Sequence, residues 1–399
     1  MPGFELFGDA ERKEVQDVLA SGVLMRYGFE GMRNGHWKAN DLELAIQNRF
    51  RVKHAQLVSN GTAAVSMTLA VAGVGAGDEV IMPSFTFVAS FEAIMMMGAT
   101  PVVVDIDDTL TLDIEGVKAA ITSKTKAIMP VHMCGSMANL DALKSICNQH
   151  NLILIEDACQ AIGGSYKGKA LGTIGDLGCF SFDFVKTVTC GEGGGIITNN
   201  ATYAKRLDHF SDHGHDHIGK DRGAEDHPFL GYNFRISELN AAVGLAQFKR
   251  IDEFLALQKR NYTILRTALS GVDGVQFRTV PNGGVESYAF LSFFLDDLST
   301  ARAVSKSFKA NGIDVCFHYY DNNWHYIRKW DHLKTQNSLY PLSKELREGL
   351  SYLKTKDFSK SDHYIGRNTS CLIKISWTEE EVLKRAETMA ECIKAVISN

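Results

Sequence analysis

Between residues 56 and 198, short apolar runs alternate with stretches of helical periodicity, and that alternation leaves the chain few architectures. The runs lie at 79–83 (EVIMP), 100–105 (TPVVVD), 126–131 (KAIMPV), 152–157 (LILIED), 178–182 (GCFSF) and 195–198 (GIIT). They are short, partly β-branched and without polar alternation, which is the pattern of strands buried on both faces of a largely parallel sheet. Helix-like segments at 63–71, 140–150 and 202–210 separate them. Alternating β and α predicts an α/β fold, a sheet covered by helices on both faces.

The texture changes near Ile236. Residues 237–269 read as helical almost throughout, as one long helix or a bent pair. A smaller run-and-helix pattern follows, with a strand at 287–295, a helix at 300–311 and a strand at 314–318. Residues 378–397 read as an amphipathic helix whose acidic start suits the helix dipole. The expected division is a large domain over 1–250 and a smaller α+β domain over 251–399.

Composition narrows the function classes. A net charge of −5 supplies no basic surface of the kind nucleic acid requires. No apolar run reaches the roughly 18 residues of a membrane span. The longest, 93–104, is interrupted by Gly98, Thr100 and Pro101. The start of the chain, MPGFELFGDAERKEV, is acidic and amphipathic and unlike a secretory signal. Eight cysteines without a CxxC pair are expected to be free thiols. Together these absences predict a cytoplasmic protein.

Four local patterns carry chemistry. Ser59-Asn60-Gly61-Thr62-Ala63-Ala64 is a small-residue turn that opens a helix, where backbone N–H groups favour an anion; the plainer reading is an N-cap turn. Asp157 closes an apolar strand, where α/β sheets place their ligands, and a buried carboxylate needs a cationic or donor partner; the plainer reading is a helix cap. Lys186 stands between the apolar run CFSF and the cluster Gly191-Glu192-Gly193-Gly194-Gly195. Burial would lower its amine's pKa and make it a nucleophile; an exposed loop lysine is the alternative. Finally, Gly231-Tyr232-Asn233-Phe234-Arg235-Ile236-Ser237-Glu238 sets Asn233 and Arg235 at a helix junction, available to a phosphate or carboxylate.

In this order the motifs resemble the DegT/DnrJ/EryC1/StrS family of sugar aminotransferases. The likeness runs from about Glu11 to the last helix, through SNGTAAV (59–65), PSFTFVAS (83–90), EDACQAIGGSYKGKALGTIGDLGCFSF (156–182), GEGGGIIT (191–198) and GYNFRISELNAAVG (231–244). The resemblance implies the aspartate aminotransferase-like, fold-type I architecture and pyridoxal 5'-phosphate as cofactor. It implies that Lys186 bonds covalently to the cofactor aldehyde and that Asp157 pairs with the ring nitrogen. It places the phosphate on Gly61, Thr62 and Ser181, Phe87 on the ring face and Gln160 near the ring's phenolic oxygen. Asn233 would reach the phosphate of a neighbouring subunit, which implies a homodimer. No metal is implied. The partners would be an amino donor, L-glutamate foremost, and a sugar or sugar-acid acceptor.

The sequence departs from the family around the lysine, where FDFVKTVTCGEGG replaces text close to FFPTKNLG. Lys186 itself is kept; relatives with histidine there act as dehydratases, so transamination is expected. His318 and Tyr319 match a His-Tyr pair that faces the sugar, but Asp321-Asn322-Asn323-Trp324-His325 replaces the usual proline-rich continuation. Arg26, in an atypical amino-terminal segment, hints at an acidic sugar. The text as a whole, PGFELFGDAERKEV included, is most similar to the branch that makes 8-amino-3,8-dideoxy-manno-octulosonate for lipopolysaccharide. A nucleotide-linked ketosugar and a non-catalytic, cofactor-binding regulator are the alternatives. Five of the thirteen histidines (209, 213, 215, 217, 227) lie together with Asp212, Asp216, Asp221 and Asp226. This stretch reads as a solvated loop near the site mouth, with substrate contact or a metal as alternatives.

Overall fold

The computed structural model describes residues 3–219 and 222–398; Met1 and Pro2 of the amino-terminal motif, and Asp221 of the histidine-rich stretch, lie outside them. A seven-stranded sheet forms the centre. Its strands are β1 (His54–Val58), β2 (Glu79–Pro83), β3 (Thr100–Val104), β4 (Thr125–Ile128), β5 (Ile153–Asp157), β6 (Leu177–Ser181) and β7 (Gly194–Thr198). Their spatial order is β1-β7-β6-β5-β4-β2-β3. The pairs β2–β3, β2–β4, β4–β5 and β5–β6 are parallel, and β7 runs antiparallel to both its neighbours. The expected runs are therefore strands, to within a residue or so at the ends of most. They are covered on both faces because every side chain of a central strand such as β7 is buried.

Local chemistry accounts for the helix boundaries. The helix Gly61–Val71 begins where the Asn60 side chain accepts from Ala63 N, a cap that leaves the first N–H groups free to bind elsewhere. The stretch read as one helix or a bent pair is a pair, Glu238–Lys249 and Ile251–Leu269, broken at Arg250. The last helix, Glu379–Ile397, opens with a capping box between Thr378 and Glu381.

Beyond residue 260 a second core gathers Leu265, Phe293, Phe308, Val382 and Met389. It lies against a four-stranded antiparallel sheet of β8 (Gln276–Phe277), β9 (Phe290–Phe294), β10 (Cys316–Phe317) and β11 (Asn368–Leu372), ordered β8-β9-β11-β10. The carboxyl-terminal half does not stay apart as a unit. Tyr319, Tyr326, Trp330 and Leu350 are buried in the core of the large sheet, so a segment near 319–353 returns to the first domain.

One sequence expectation needs correction here and a second needs refinement. Cys316 and Cys371 are joined as a disulfide, and the other six cysteines are free. The two residues face each other directly in the antiparallel β10–β11 register, which brings their side chains together across 55 positions of sequence. The histidine-rich stretch is a loop with many exposed residues, as read from the sequence, but ion pairs cross-link it. His217 lies between two carboxylates, Nδ1 at 2.8 Å from Asp208 and Nε2 at 3.0 Å from Asp212. The fully buried Asp212 also takes Arg222 and Arg235, and three cationic partners hold its pKa far below the usual carboxylate range despite the opposing cost of burial. His215 meets Glu225 at 2.8 Å. No helix of the described residues is long and apolar enough to cross a membrane.

Candidate active site

The site forms where β5 and β6 end. Strand alternation turns Glu156 and Asp157 to opposite faces. Glu156, fully buried, accepts from Gly172 N, Ile174 N and Gly175 N at 2.6–2.8 Å and meets His132 Nε2 at 2.9 Å, so it anchors a loop. Asp157 faces the other way. It is 4% exposed and accepts from Ser90 Oγ at 2.8 Å and from Cys159 N at 3.2 Å. No arginine, lysine or histidine among the described residues forms an ion pair with it. A buried carboxylate held only by neutral donors lacks a cation.

Ser90 was not picked out individually in the sequence, although it closes the PSFTFVAS motif. It sits one turn into the helix Val88–Met96, and its hydroxyl is 2.8 Å from Thr86 Oγ1. The chain Thr86–Ser90–Asp157 fixes the carboxylate's direction. The thiols of Cys159 and Cys179 lie beside it, their sulfur atoms within 4.8 Å of a carboxylate oxygen. Contact with Cys179, together with burial, pushes the Cys159 thiol well above its ordinary pKa, so it stays protonated and acts as apolar volume.

Lys186 lies in the connection between β6 and β7, half-buried, with no ion pair among the described residues. Hydrogen bonds from Phe182 N to Gly193 O and from Cys190 N to Phe182 O, 2.8 and 2.9 Å, close the connection into a loop. Ser181 ends β6 and lies against Gly61: a Cβ added at position 61 would stand 2.8 Å from Ser181 Cβ and 2.9 Å from its Oγ. Only glycine permits this approach. Gly61 N, Thr62 N and the Ser181 hydroxyl thereby converge as donors at a helix N-terminus, a cradle for a phosphate.

Gln160 lies on the turn after β5, where its Oε1 accepts from Cys134 N at 3.0 Å. Phe87 is 43% exposed and meets the edge of the His325 ring at 5.6 Å. His325, absent from the sequence-based selection, is buried, and its Nδ1 has no partner among the described residues. Burial and the nearby Lys186 charge push its pKa down to about 3, so it is a neutral imidazole. The signal for it was the unusual DNNWH text. Its backbone accepts from Thr86 N at 2.8 Å, and its ring stacks on Trp324 at 4.7 Å.

Of four further expected residues, Arg26, His318 and Asn233 do not join this group, and Tyr319 reaches it only through His325. Arg26 is buried against Glu43 in an ion pair and stacks on Tyr27 at 4.5 Å. A guanidinium neutralised inside the protein does not offer itself to a sugar carboxylate. His318 spends both ring nitrogens internally, Nδ1 on Asp321 at 3.1 Å and Nε2 on Gly366 O at 2.9 Å. Tyr319 is fully buried, its ring 5.2 Å from those of Phe85 and His325. Asn233 is exposed and pairs by a backbone bridge with Asp212.

The donor set fits pyridoxal phosphate: a phosphate cradle, an amine, an aromatic face and a buried anion short of a cation. Fold and site thus define an α/β aminotransferase of the aspartate aminotransferase type. A family model, the DegT/DnrJ/EryC1/StrS aminotransferase family, matches residues 7–362, and the chain belongs to that family, which depends on pyridoxal phosphate. A GDP-perosamine synthase of Vibrio cholerae is 34% identical over 335 residues, covering 84% of this chain and 87% of that enzyme. A GDP-perosamine synthase of Caulobacter vibrioides is 42% identical, but the match spans 55% of this chain and 58% of the relative's length. The crystal structure of 3-amino-5-hydroxybenzoic acid synthase superposes with a TM-score of 0.79 at 28% identity, covering 98% of this chain and 97% of the other.

Proposed function

We propose that this protein transfers an amino group from an amino acid, L-glutamate first, to the carbonyl of a sugar. The observation that carries this is the cation-free Asp157 and the Gly61–Ser181 cradle at the ends of adjacent strands, with Lys186 in the loop after β6, near enough for its charge to act on His325. In this reading Gly61, Thr62 and Ser181 hold the phosphate, Phe87 covers the ring and Gln160 donates to its phenolic oxygen. Bound there, pyridoxal phosphate supplies an aldehyde for covalent linkage and a ring that withdraws electrons. Asp157 keeps the ring nitrogen protonated. Lys186 Nζ takes a proton from the donor's α carbon and returns it as general acid. His325, uncharged, walls the site beside Phe87 and keeps water from Lys186. Asn233 is assigned to the phosphate of a second subunit; its exposure and its freedom from site residues of its own chain support a homodimer.

The acceptor we favour is 3,8-dideoxy-8-oxo-manno-octulosonate, converted to its 8-amino form for lipopolysaccharide. The amino-terminal text and the DNNWH replacement support it; Arg26 no longer does. A nucleotide-linked ketosugar is the second reading, favoured by the relatives named as GDP-perosamine synthases. A division into 1–250 and 251–399 completes the proposal, supported by the separate core beyond residue 260 although the segment near 319–353 packs on the first domain; a cytoplasmic setting is supported by the six free thiols, with the Cys316–Cys371 disulfide against it. The test is amine formation from sugar aldehydes and ketones, with and without a nucleoside diphosphate, using glutamate as donor. No product from the unlinked octulosonate removes the narrower reading. No change of the cofactor spectrum on adding glutamate removes transamination itself and leaves a regulatory binder.

A further inference from the structure

A buried arginine outside the site contacts the turn that orients Gln160. Arg278 lies just past β8, and its side chain is 1% exposed. It donates from Nη1 to Met133 O at 3.0 Å, from Nη2 to Cys134 O at 2.6 Å and from Nε to Glu286 Oε1 at 2.6 Å. Glu286 is aimed in turn by Tyr262 Oη, which donates to its Oε2 at 2.6 Å. The turn that Arg278 grips is unusual. Cys134 has φ 52° and ψ 32°, the left-handed region that residues other than glycine seldom occupy, so something must hold it there. Two charge-assisted hydrogen bonds to successive carbonyls from one rigid fork do so.

The turn matters because of its N–H. Cys134 N donates to Gln160 Oε1. A backbone N–H can only donate, so the oxygen of the Gln160 amide is fixed on that side. The amide nitrogen must then point the other way, and it has no partner among the described residues. We propose that Arg278 is a positioning residue for the cofactor ring: by clamping the left-handed Met133–Cys134 turn it fixes the Cys134 N–H, and so turns the Gln160 amide nitrogen to the ring's phenolic oxygen. This rests on the reading that Gln160 faces that oxygen. It also makes the ring's environment depend on a residue of the carboxyl-terminal half, more than 100 positions away in sequence.

The test is the pH midpoint of the cofactor's visible absorption band in the holoenzyme. Loss of a donor makes the phenolic oxygen more basic, so the proton shared with the Lys186 link is held to higher pH. Gln160→Leu should raise the midpoint by about one pH unit, the scale of one hydrogen bond to a charged group. Arg278→Lys, which keeps the charge but not the fork, should raise it in the same direction. The double variant should match Gln160→Leu alone, because both changes remove one contact. If Arg278→Lys does not fold, Glu286→Gln takes its place; it keeps shape but removes the charge that aims the guanidinium, and a smaller rise is expected. A shift in Gln160→Leu with none in the Arg278 or Glu286 variant overturns the proposal. No shift in Gln160→Leu itself overturns the underlying placement of Gln160, and the proposal with it.

Discussion

Raising the pH from 6 to 9.5 should loosen the segment 208–235, and the size of the effect follows from His217. Burial disfavours its charge, but Asp208 and Asp212, one at each ring nitrogen, more than compensate and lift its pKa from 6.5 to about 9. A group whose pKa is raised on folding stabilises the fold fully below its unfolded value and loses that contribution as pH passes its folded value. The window is therefore 6.5 to 9. The difference, 9 − 6.5 = 2.5 units, corresponds to about 3 kcal/mol as an upper figure. The side chain is 18% exposed, so solvent removes part of this. Facing His217 are Tyr27, whose ring centroid is 4.1 Å away, and His215, with Arg222 and Arg235 sharing Asp212. The arginines keep their charge across the window, which leaves His217 as the group that switches. Amide hydrogen exchange, corrected for its intrinsic pH dependence, reads this directly. Protection in 208–235 should fall by one to two orders of magnitude from pH 6 to 9.5, roughly the discounted figure. In His217→Gln that fall should vanish, with protection at pH 6 already low. Equal pH dependence in wild type and His217→Gln refutes the argument.

Other outcomes test the site. Lys186→Ala should leave no cofactor attached after borohydride treatment, whereas wild type keeps a stoichiometric label. Asp157→Asn should weaken cofactor retention, measured by dialysis and absorbance, by at least tenfold, since a charge-assisted bond to the ring nitrogen is worth about 1.5–3 kcal/mol. Gly61→Ala should lower the thermal midpoint and bind cofactor poorly, because the added methyl forces the helix start away from Ser181. Because His325 is already neutral above pH 3, His325→Gln should lower turnover without removing any limb of the kcat profile between pH 5 and 8. Thiol titration of the denatured protein should count six thiols without reductant and eight with it.

Much of this protein is written in short-range patterns. The parallel strands announced themselves because each is a local apolar run, and the helix starts at Asn60 and Thr378 because caps act within three residues. Lys186, Asp157, Ser181 and Gly61 could be named because each sits in a motif of its own. What the chain alone could not show was pairing over distance. Arg26 looked available until Glu43 was found beside it; His318 and Tyr319 matched a motif but turned inward; Cys316 and Cys371 are neighbours only through antiparallel register. The histidine-rich stretch reads as polar and loose, yet two carboxylates from 208 and 212 hold one of its rings as a half-buried cation. Local order follows from backbone preference and periodicity, which act over a few residues. Whether a charged side chain is spent inside the protein or left for a substrate depends on which partner the folded chain brings within about 3 Å, and no spacing in the sequence encodes that distance.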